Sequence, residues 1–353
     1  MKLNPKEIRQ KANQAIRNVL QRIPDLTDIR VQQQPQSMGG IADLLVTFRR
    51  KNDDKLLLAD VKSSGQPRYA RNAVNSLLIP LAKLANGYGV FIAPYISRQS
   101  AEICQQANIG YIDFSGNCRL SFDSTYIEIT GNPNPFSEKR VLKTLFKPKA
   151  ERILRTLLCE PRKVWLTGEL AKIADVSLGQ VSNVRKLLLE REWITDNKRG
   201  IALTEPLQLL EAWRENYQSD RNASFDFYFM KPVPEIELLI GNICKQTKTR
   251  YALTGFSGAS RYAPFTTYKT VTLYMDPPPS IDKNVLPFTL VSSGANIRIL
   301  SPYDAGVFTD CRNIHGDWVA SPIQCYLDLK DEKARGQEAA DVLLEKEIKP
   351  TWQ

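Results

Sequence analysis

This sequence has very little histidine, and it lacks closely spaced cysteines and long apolar runs. Its 353 residues include a single histidine, His315, so acid–base or metal chemistry built on histidine has too little material. The six cysteines form no CxxC or other close pair, which argues against zinc ribbons and disulfide frameworks and is typical of a reducing cytosol. Any chemistry must therefore use carboxylates and lysines.

The sequence also lacks the features of a membrane or secreted protein. No apolar run approaches the length of a membrane span, and the N-terminal stretch is too charged for the apolar core of a secretory signal. Hydrophobic residues make up 42% and charged residues 24%, which is an ordinary globular mixture. Since single cores stop growing well below this length, we expect a cytoplasmic protein of two or three domains, with no membrane segment.

The net charge of +10 is unevenly distributed along the chain. Residues 1–146 contain 20 lysines and arginines against 12 acids, and residues 147–214 contain 13 against 9. Residues 215–353 contain 15 against 17 and are net acidic. The distribution favours contact of the first two segments with a phosphate backbone and of the last with something else. An ordinary solvated surface is the alternative for the basic segments.

Helical and strand patterns alternate in residues 1–146. Apolar residues at helical spacing predict a first helix that ends before Pro24. The runs IADLLVTF and KLLLADVK predict a strand hairpin, which a helix over 71–84 follows. The strand GYGVFIAPY, a helix with Ser97 as N-cap and the strand GYIDF complete the pattern. This order predicts an α/β domain.

Three charged side chains fall at one end of the predicted hairpin. Asp60 and Lys62 share a face because residues i and i+2 of a strand point the same way. Asp43 begins the partner strand, at the same end of the sheet. Two carboxylates on adjacent strands suit Mg²⁺, and a neighbouring lysine can orient water or stabilise charge on phosphate. A plain surface ion pair is the alternative.

This arrangement resembles the PD-(D/E)xK nuclease superfamily, whose core has the α-β-β-β-α-β order predicted here. The resemblance implies Mg²⁺ ligands at Asp43 and Asp60, a catalytic lysine at Lys62 and an additional acid at Glu7. Ala42 stands where the family has proline, and the second acid is Asp rather than the commoner Glu. A substrate phosphate would run past the residues that follow the site, Gln66, Arg68 and Tyr69.

Residues 147–214 contain three short helical patterns and then two strand patterns around a basic turn, WITDNKRGIALTE. This order predicts a winged helix-turn-helix. Outward side chains of the third helix would read base edges and neutralise phosphates, with two basic residues on the wing. These DNA-binding candidates are Gln180, Ser182, Asn183, Arg185, Lys186, Lys198 and Arg199. A winged helix used for protein contacts is the alternative.

From residue 215 the pattern is α+β. The stretches RYALTGFSGASRYAP, VTLYMD and VASPIQCYLDLKDEKARGQEAADVLL resemble the AbiEi-type antitoxins of type IV toxin–antitoxin systems. YIDFSGNCRL, nearer the N-terminus, resembles the branch with an extra N-terminal domain. The resemblance implies a DNA-binding transcriptional regulator whose C-terminal domain opposes a nucleotidyltransferase-like toxin. The usual antitoxin begins with its winged helix, whereas here that module is central.

The segment TGFSGAS is similar to the Gly–Ser turn of nucleotidyltransferases, and a nucleotidyltransferase-like α+β domain is expected here. Such enzymes hold Mg²⁺ with two acids one residue apart on the next strand, where this chain has Asp276 alone. We therefore expect no transferase activity, and interpret Gly255, Ser257 and Gly258 as turn residues.

The sequence thus predicts three domains. They are a restriction-endonuclease-like α/β domain at 1–146, a winged helix-turn-helix at 147–214 and an α+β domain for partner or oligomer contacts at 215–353. The leading interpretation is an antitoxin-like transcriptional regulator whose partners are double-stranded DNA and a toxin. The alternative is a Mg²⁺-dependent DNA endonuclease guided by the winged helix. The feature that separates these two interpretations is whether the side chains of Asp43, Asp60 and Lys62 converge.

Overall fold

The computed structural model describes residues 3–33, 42–50, 53–84, 86–136, 144–278, 286–332 and 335–353. Contacts divide the chain into two compact units, Met1–Leu142 with Leu188–Glu192 and Lys143–Leu187 with Trp193–Gln353. The segments predicted as winged helix and C-terminal domain therefore lie mostly in one unit, and the division into three domains stays a prediction. Among the described helices, none has the length and apolar character needed to span a bilayer.

The first unit is a seven-stranded sheet with helices on both faces. Its elements are α1 (Pro5–Leu20), β1 (Leu26–Gln33), β2 (Leu44–Arg50), β3 (Asp53–Val61), α2 (Pro67–Leu81), β4 (Gly87–Ala93), α3 (Arg98–Gln106), β5 (Gly110–Asp113), β6 (Cys118–Phe122) and β7 (Thr125–Ile129). The strands lie in sequence order, antiparallel from β1 to β3, parallel from β3 to β5 and antiparallel from β5 to β7. The predicted mixed α/β class is confirmed, while the restriction-endonuclease-like assignment stays a prediction.

Strand alternation separates two cores in this unit. Leu57 and Ala59 of β3 pack in the core that includes α1, whereas Leu58 packs in the core of α2 and α3. Asp60 follows on the same side as Leu58, because side chains alternate along a strand. The α2 helix begins four residues earlier than its predicted start at residue 71. This places the end of β3 and the start of α2 close together in the chain.

A three-helix segment, by which we mean residues 148–203, belongs to the second unit except for Leu188–Glu192. It contains α4 (Pro148–Cys159), α5 (Thr167–Ile173), α6 (Leu178–Glu190) and the hairpin β8 (Ile194–Asn197) and β9 (Gly200–Leu203). Trp165, between α4 and α5, exchanges backbone hydrogen bonds with Ile201 of β9. Gly200 allows this contact, since a Cβ there would lie 2.6 Å from the Trp165 carbonyl oxygen. Helix α7 (Pro206–Asn216) follows.

The remaining elements form a mixed sheet with helices. They are β10 (Ala223–Tyr228), α8 (Val233–Thr247), β11 (Arg250–Leu253), α9 (Gly255–Tyr262), β12 (Val271–Asp276), β13 (Thr289–Leu290), β14 (Ile297–Ser301), β15 (Arg312–Ile314), β16 (Asp317–Val319), α10 (Pro322–Asp328), α11 (Gly336–Leu343) and α12 (Lys349–Trp352). Short 3-10 helices span Ser219–Arg221, Ala305–Phe308 and Leu329–Asp331, and a π-helix spans Leu344–Ile348. The strand order is β13-β10-β14-β12-β11-β16-β15.

The interpretation of Gly255, Ser257 and Gly258 as turn residues was wrong, because all three lie in α9. Gly258 is needed for close packing rather than for a turn. A Cβ there would lie 2.7 Å from the Leu253 carbonyl oxygen and 2.6 Å from Cys325 Sγ. Gly255 does have a positive φ of 54° at the start of the helix, where glycine is favoured.

Candidate functional sites

Asp60 and Lys62 form an ion pair at the end of β3. The Asp60 side chain is buried, with 2% of its surface exposed, and its Oδ1 lies 2.5 Å from Lys62 Nζ. Among the described residues, no donor forms a hydrogen bond of good geometry with either Asp60 carboxylate oxygen. A buried carboxylate normally accepts several such bonds. Oδ1 is engaged by Lys62, and Oδ2 has acceptor capacity that the described donors do not fill.

Asp43 lies beside this pair. Its backbone N–H donates to the Ala59 carbonyl oxygen at 3.0 Å, and its Oδ2 accepts the Val61 N–H at 2.9 Å. Burial raises the pKa of Asp60, Lys62 opposes that rise, and the negative charge of Asp43 adds to it. The structure thus brings together the three residues that the sequence placed at one end of the hairpin.

Glu7 has a different environment. Its carboxylate accepts the Asn4 N–H at 2.8 Å, and the Asn4 side chain accepts the Glu7 N–H in return, which is a helix capping box. No group of three or more His, Cys, Asp or Glu side chains in the described ranges is arranged to hold a metal ion. Asp43 and Asp60 alone still fit Mg²⁺, which takes one or two carboxylates and keeps its waters.

The residues after Lys62 lead directly from this pair to α2. Gln66 is buried as the N-cap residue, Arg68 is exposed on the first turn, and Tyr69 is half-buried. The turn before them is held in place at Gly65, where a Cβ would lie 1.9 Å from the Tyr95 carbonyl oxygen. Arg68 is thus the predicted phosphate contact with a freely accessible charge.

Helix α6 presents a polar face. Val181 and Val184 are buried, whereas Ser182, Asn183 and Lys186 are exposed and Gln180 is half-buried. Lys198 and Arg199 are exposed in the turn between β8 and β9. The side chains predicted to face DNA therefore lie on the surface of the three-helix segment, with one difference at Arg185.

Arg185 is held by the hairpin rather than free. Its Nε donates to Asp196 Oδ2 of β8 at 2.6 Å, and its guanidinium forms an ion pair with the same carboxylate. The pair is partly exposed, at 38% for the arginine and 16% for the aspartate side chain. Arg185 thereby fixes the hairpin against α6, a role that its position in the sequence did not indicate.

A cleft of about 600 Å³ lies where the start of α4, the end of α5 and the start of α6 meet. Its lining residues are Lys149, Ala171, Lys172, Asp175, Val176, Ser177 and Gln180. Sequence reasoning considered the third helix and the wing, and so missed Lys149 and Lys172. The signal was available, since both lysines are exposed in the segment of net charge +4.

A buried polar network links α4 to the C-terminal elements. Arg155 Nη2 of α4 donates to Gln324 Oε1 at 2.6 Å, and Gln324 Nε2 donates to Asp328 Oδ1 at 2.9 Å. Asp328 also accepts from the hydroxyls of Tyr217, at 2.7 Å, and Tyr274, at 2.9 Å. Tyr274 lies on β12, the strand where a nucleotidyltransferase would carry its acids, while Asp276 at the end of that strand is exposed.

Comparison with known proteins gives a family match. Residues 202–349, less than half of the chain, match the model of a family described as "Transcriptional regulator, AbiEi antitoxin, Type IV TA system". No curated protein and no solved structure matches. The match runs from β9 to the start of α12 and includes the three C-terminal motifs that carried the resemblance, while the N-terminal region that was predicted to be nuclease-like lies outside it. Residues 202–349 are therefore similar to the AbiEi antitoxins of type IV toxin–antitoxin systems.

Proposed function

We propose that the protein is a transcriptional regulator of the AbiEi antitoxin type, which binds duplex DNA through the three-helix segment. The observation that carries this proposal is the exposed polar and basic face of α6 beside the lysine-lined cleft. The family match of residues 202–349 supports the regulator and antitoxin class. We interpret the three-helix segment as a winged helix-turn-helix, with α6 as the recognition helix and the β8–β9 hairpin as the wing.

Each exposed residue has a role in this proposal. Ser182 and Asn183 are short side chains with donors and acceptors, suited to base edges in a major groove. Lys186 and the wing residues Lys198 and Arg199 neutralise backbone phosphates. Arg185 positions the wing through Asp196 and leaves the other basic residues free to make contacts.

The C-terminal elements contact a protein partner in this proposal. Residues 215–353 carry 15 lysines and arginines against 17 acids, a balance that gives no attraction to a phosphate backbone. In this proposal the partner is a toxin of nucleotidyltransferase-like class, as the family resemblance implies. The protein would act in the cytoplasm, where its DNA and its toxin are found.

A reporter assay tests the regulatory role. The full chain is expressed with a reporter driven by the promoter of its own gene, and repression is compared among variants. Asn183→Ala with Lys186→Ala should relieve repression, whereas Lys245→Ala, which removes an exposed lysine of α8, should not. Equal repression by all three proteins would contradict the proposal.

A second candidate function, a Mg²⁺-dependent DNA endonuclease, is favoured by the carboxylate of Asp60. Asp43 and Asp60 would hold the ion, and Lys62 would orient the attacking water. When bound, Mg²⁺ would supply a water of lowered pKa and charge neutralisation at the phosphate. Cleavage of supercoiled DNA that requires Mg²⁺ and is lost in Lys62→Ala would establish this function. Intact DNA under the same conditions would indicate a site that has kept its form without the activity.

A further inference from the structure

Arg152 of α4 forms two ion pairs with aspartates that are distant in sequence. Its Nε donates to Asp304 Oδ1 at 2.8 Å. Its Nη1 donates to the carboxylate of Asp175 and also to the Asp175 carbonyl oxygen, at 3.2 Å. The Asp304 side chain is 8% exposed and that of Asp175 is 84% exposed. One arginine therefore connects a buried carboxylate of the C-terminal elements to an exposed carboxylate between α5 and α6.

The C-terminal end of this connection is rigidly packed. Asp304 Oδ1 also accepts the Gly306 N–H at 2.8 Å. A Cβ at Gly306 would lie 2.9 Å from Arg152 Cγ, so the backbone of the 3-10 helix rests directly on the arginine stem. The Arg155–Gln324 contact lies one turn further along α4. The position of Arg152 is thus set by residues outside the three-helix segment.

The exposed end of the connection lines the cleft. Asp175 shares it with Lys149 and Lys172, and lies next to Ser177 at the start of α6. An unpaired carboxylate at this position would repel a phosphate, whereas the pair with Arg152 neutralises it and leaves the two lysines to attract one. Asp175 has a left-handed φ of 51°, a conformation that Asn also adopts readily, so Asp175→Asn removes the charge without straining the turn.

We propose that Arg152 is a positioning residue for DNA binding: anchored by Asp304, it orients and neutralises Asp175, so that the lysine-lined cleft accepts a backbone phosphate. The inference rests on the proposed DNA binding and adds to it a specific phosphate contact and a structural link between the C-terminal elements and the DNA-facing turn. A perturbation of the segment around Asp304 and Gly306 would consequently change DNA affinity without touching DNA.

The test measures affinity of the full chain for a duplex of its own promoter at several salt concentrations. One phosphate contact accounts for about a threefold change in affinity between 50 and 200 mM salt. Arg152→Ala should lose about this much of the salt dependence and bind more weakly, and adding Asp175→Asn should restore affinity. Gly306→Ala, which crowds both Asp304 Oδ1 and the Arg152 stem without changing any charge, should weaken binding in the same direction. Lys245→Ala serves as the control for loss of a remote charge.

The outcomes separate this inference from the proposed function. If the wild-type chain does not bind the duplex, the proposed function fails. If it binds and Arg152→Ala leaves affinity and salt dependence unchanged, only the inference fails. An Arg152→Ala/Asp175→Asn protein that binds no better than Arg152→Ala would also overturn it, because a merely structural role predicts no rescue by a second substitution. Should Arg152→Ala not fold, Arg152→Lys provides the same comparison, since a point charge does not bridge two carboxylates as a guanidinium does.

Discussion

Asp60 in the first unit and Asp328 in the second are both buried carboxylates, but their surroundings differ. Asp328 accepts hydrogen bonds from Tyr217, Tyr274, Gln324 and Thr254. Asp60 has an ion pair with Lys62 and a second carboxylate, Asp43, nearby. Burial raises the pKa of both groups, but four hydrogen bonds oppose the rise at Asp328, whereas the Asp43 charge increases it at Asp60.

This difference distinguishes two uses of a buried acid. A carboxylate whose acceptor sites are filled by protein donors stabilises the fold and has no capacity left for a ligand. A carboxylate that lies beside another, with a single lysine as its partner, is stabilised by an added cation, since the cation removes the repulsion between the two acids. Asp328 is accordingly a structural residue, and we propose Asp60 as the one that takes a ligand.

The largest effect is expected at Asp328. Asp328→Ala would leave the hydroxyls of Tyr217 and Tyr274 and the amide of Gln324 buried without their acceptor. Such a loss costs about 3 kcal/mol or more of unfolding free energy. Urea denaturation of the full chain measures it. A change below about 1 kcal/mol would remove the contrast with Asp60.

Addition of Mg²⁺ should produce the next largest effect. A ligand at a hundred times its dissociation constant stabilises the folded state by about 2.7 kcal/mol, so the wild-type melting temperature should rise with Mg²⁺ or Mn²⁺. The rise should be absent in Asp60→Asn and retained in Asp328→Asn, which is the matched control. Equal shifts in melting temperature for wild type and Asp60→Asn would indicate that Asp60 and Lys62 form only an ordinary ion pair.

The pH dependence of stability sharpens the comparison further. Since the pKa of Asp60 is raised in the folded protein, its protonated form favours folding below the ordinary value of 3.8. That contribution is lost as the pH rises through the folded-state pKa. Asp60→Asn should therefore be at least as stable as wild type at neutral pH and should show a weaker loss of stability between acid and neutral pH. Urea melts across this range provide the measurement, and a destabilised Asp60→Asn protein at pH 7 would contradict the assignment.

The smallest effect is expected at the partly exposed pair of Arg185 and Asp196. Ion pairs of this exposure contribute about 0–1 kcal/mol, so Asp196→Asn should barely change stability. It should, however, release Arg185 from the wing and thereby alter DNA binding. A double-mutant cycle with Arg185→Met separates the coupling between the two residues from their individual effects. A coupling energy near 3 kcal/mol would place this pair with the buried network instead.

Local patterns in the sequence predicted much of the candidate sites. Strand periodicity placed Asp60 and Lys62 on one face of a strand. Helical periodicity placed Ser182, Asn183 and Lys186 on the outward face of α6. The features that these local patterns did not predict depend on contacts between residues that are distant in the sequence. Arg152 meets Asp304, 152 residues later, and Arg155 meets Gln324, 169 residues later. Neither distance leaves a periodic signal in the chain.

The errors have a similar origin. Glycines and a serine in TGFSGAS have turn chemistry by composition, but they lie in α9, where Gly258 packs against Leu253 and Cys325. Arg185 has the chemistry of a phosphate contact, but the course of the chain from α6 into β8 brings Asp196 to it. Composition and spacing identify which interactions a side chain can make. Tertiary packing decides whether a neighbouring residue already forms that interaction with it.

The salt dependence of DNA binding by the full chain tests the central claim most directly. We predict that the protein binds a duplex of its own promoter more tightly than a scrambled duplex, and that log affinity falls linearly with log salt. Lys186→Ala with Lys198→Ala should reduce that slope by about two, one for each phosphate contact. Absence of binding, or a slope that the double substitution leaves unchanged, would contradict the assignment of α6 and the β8–β9 hairpin as the DNA-binding surface.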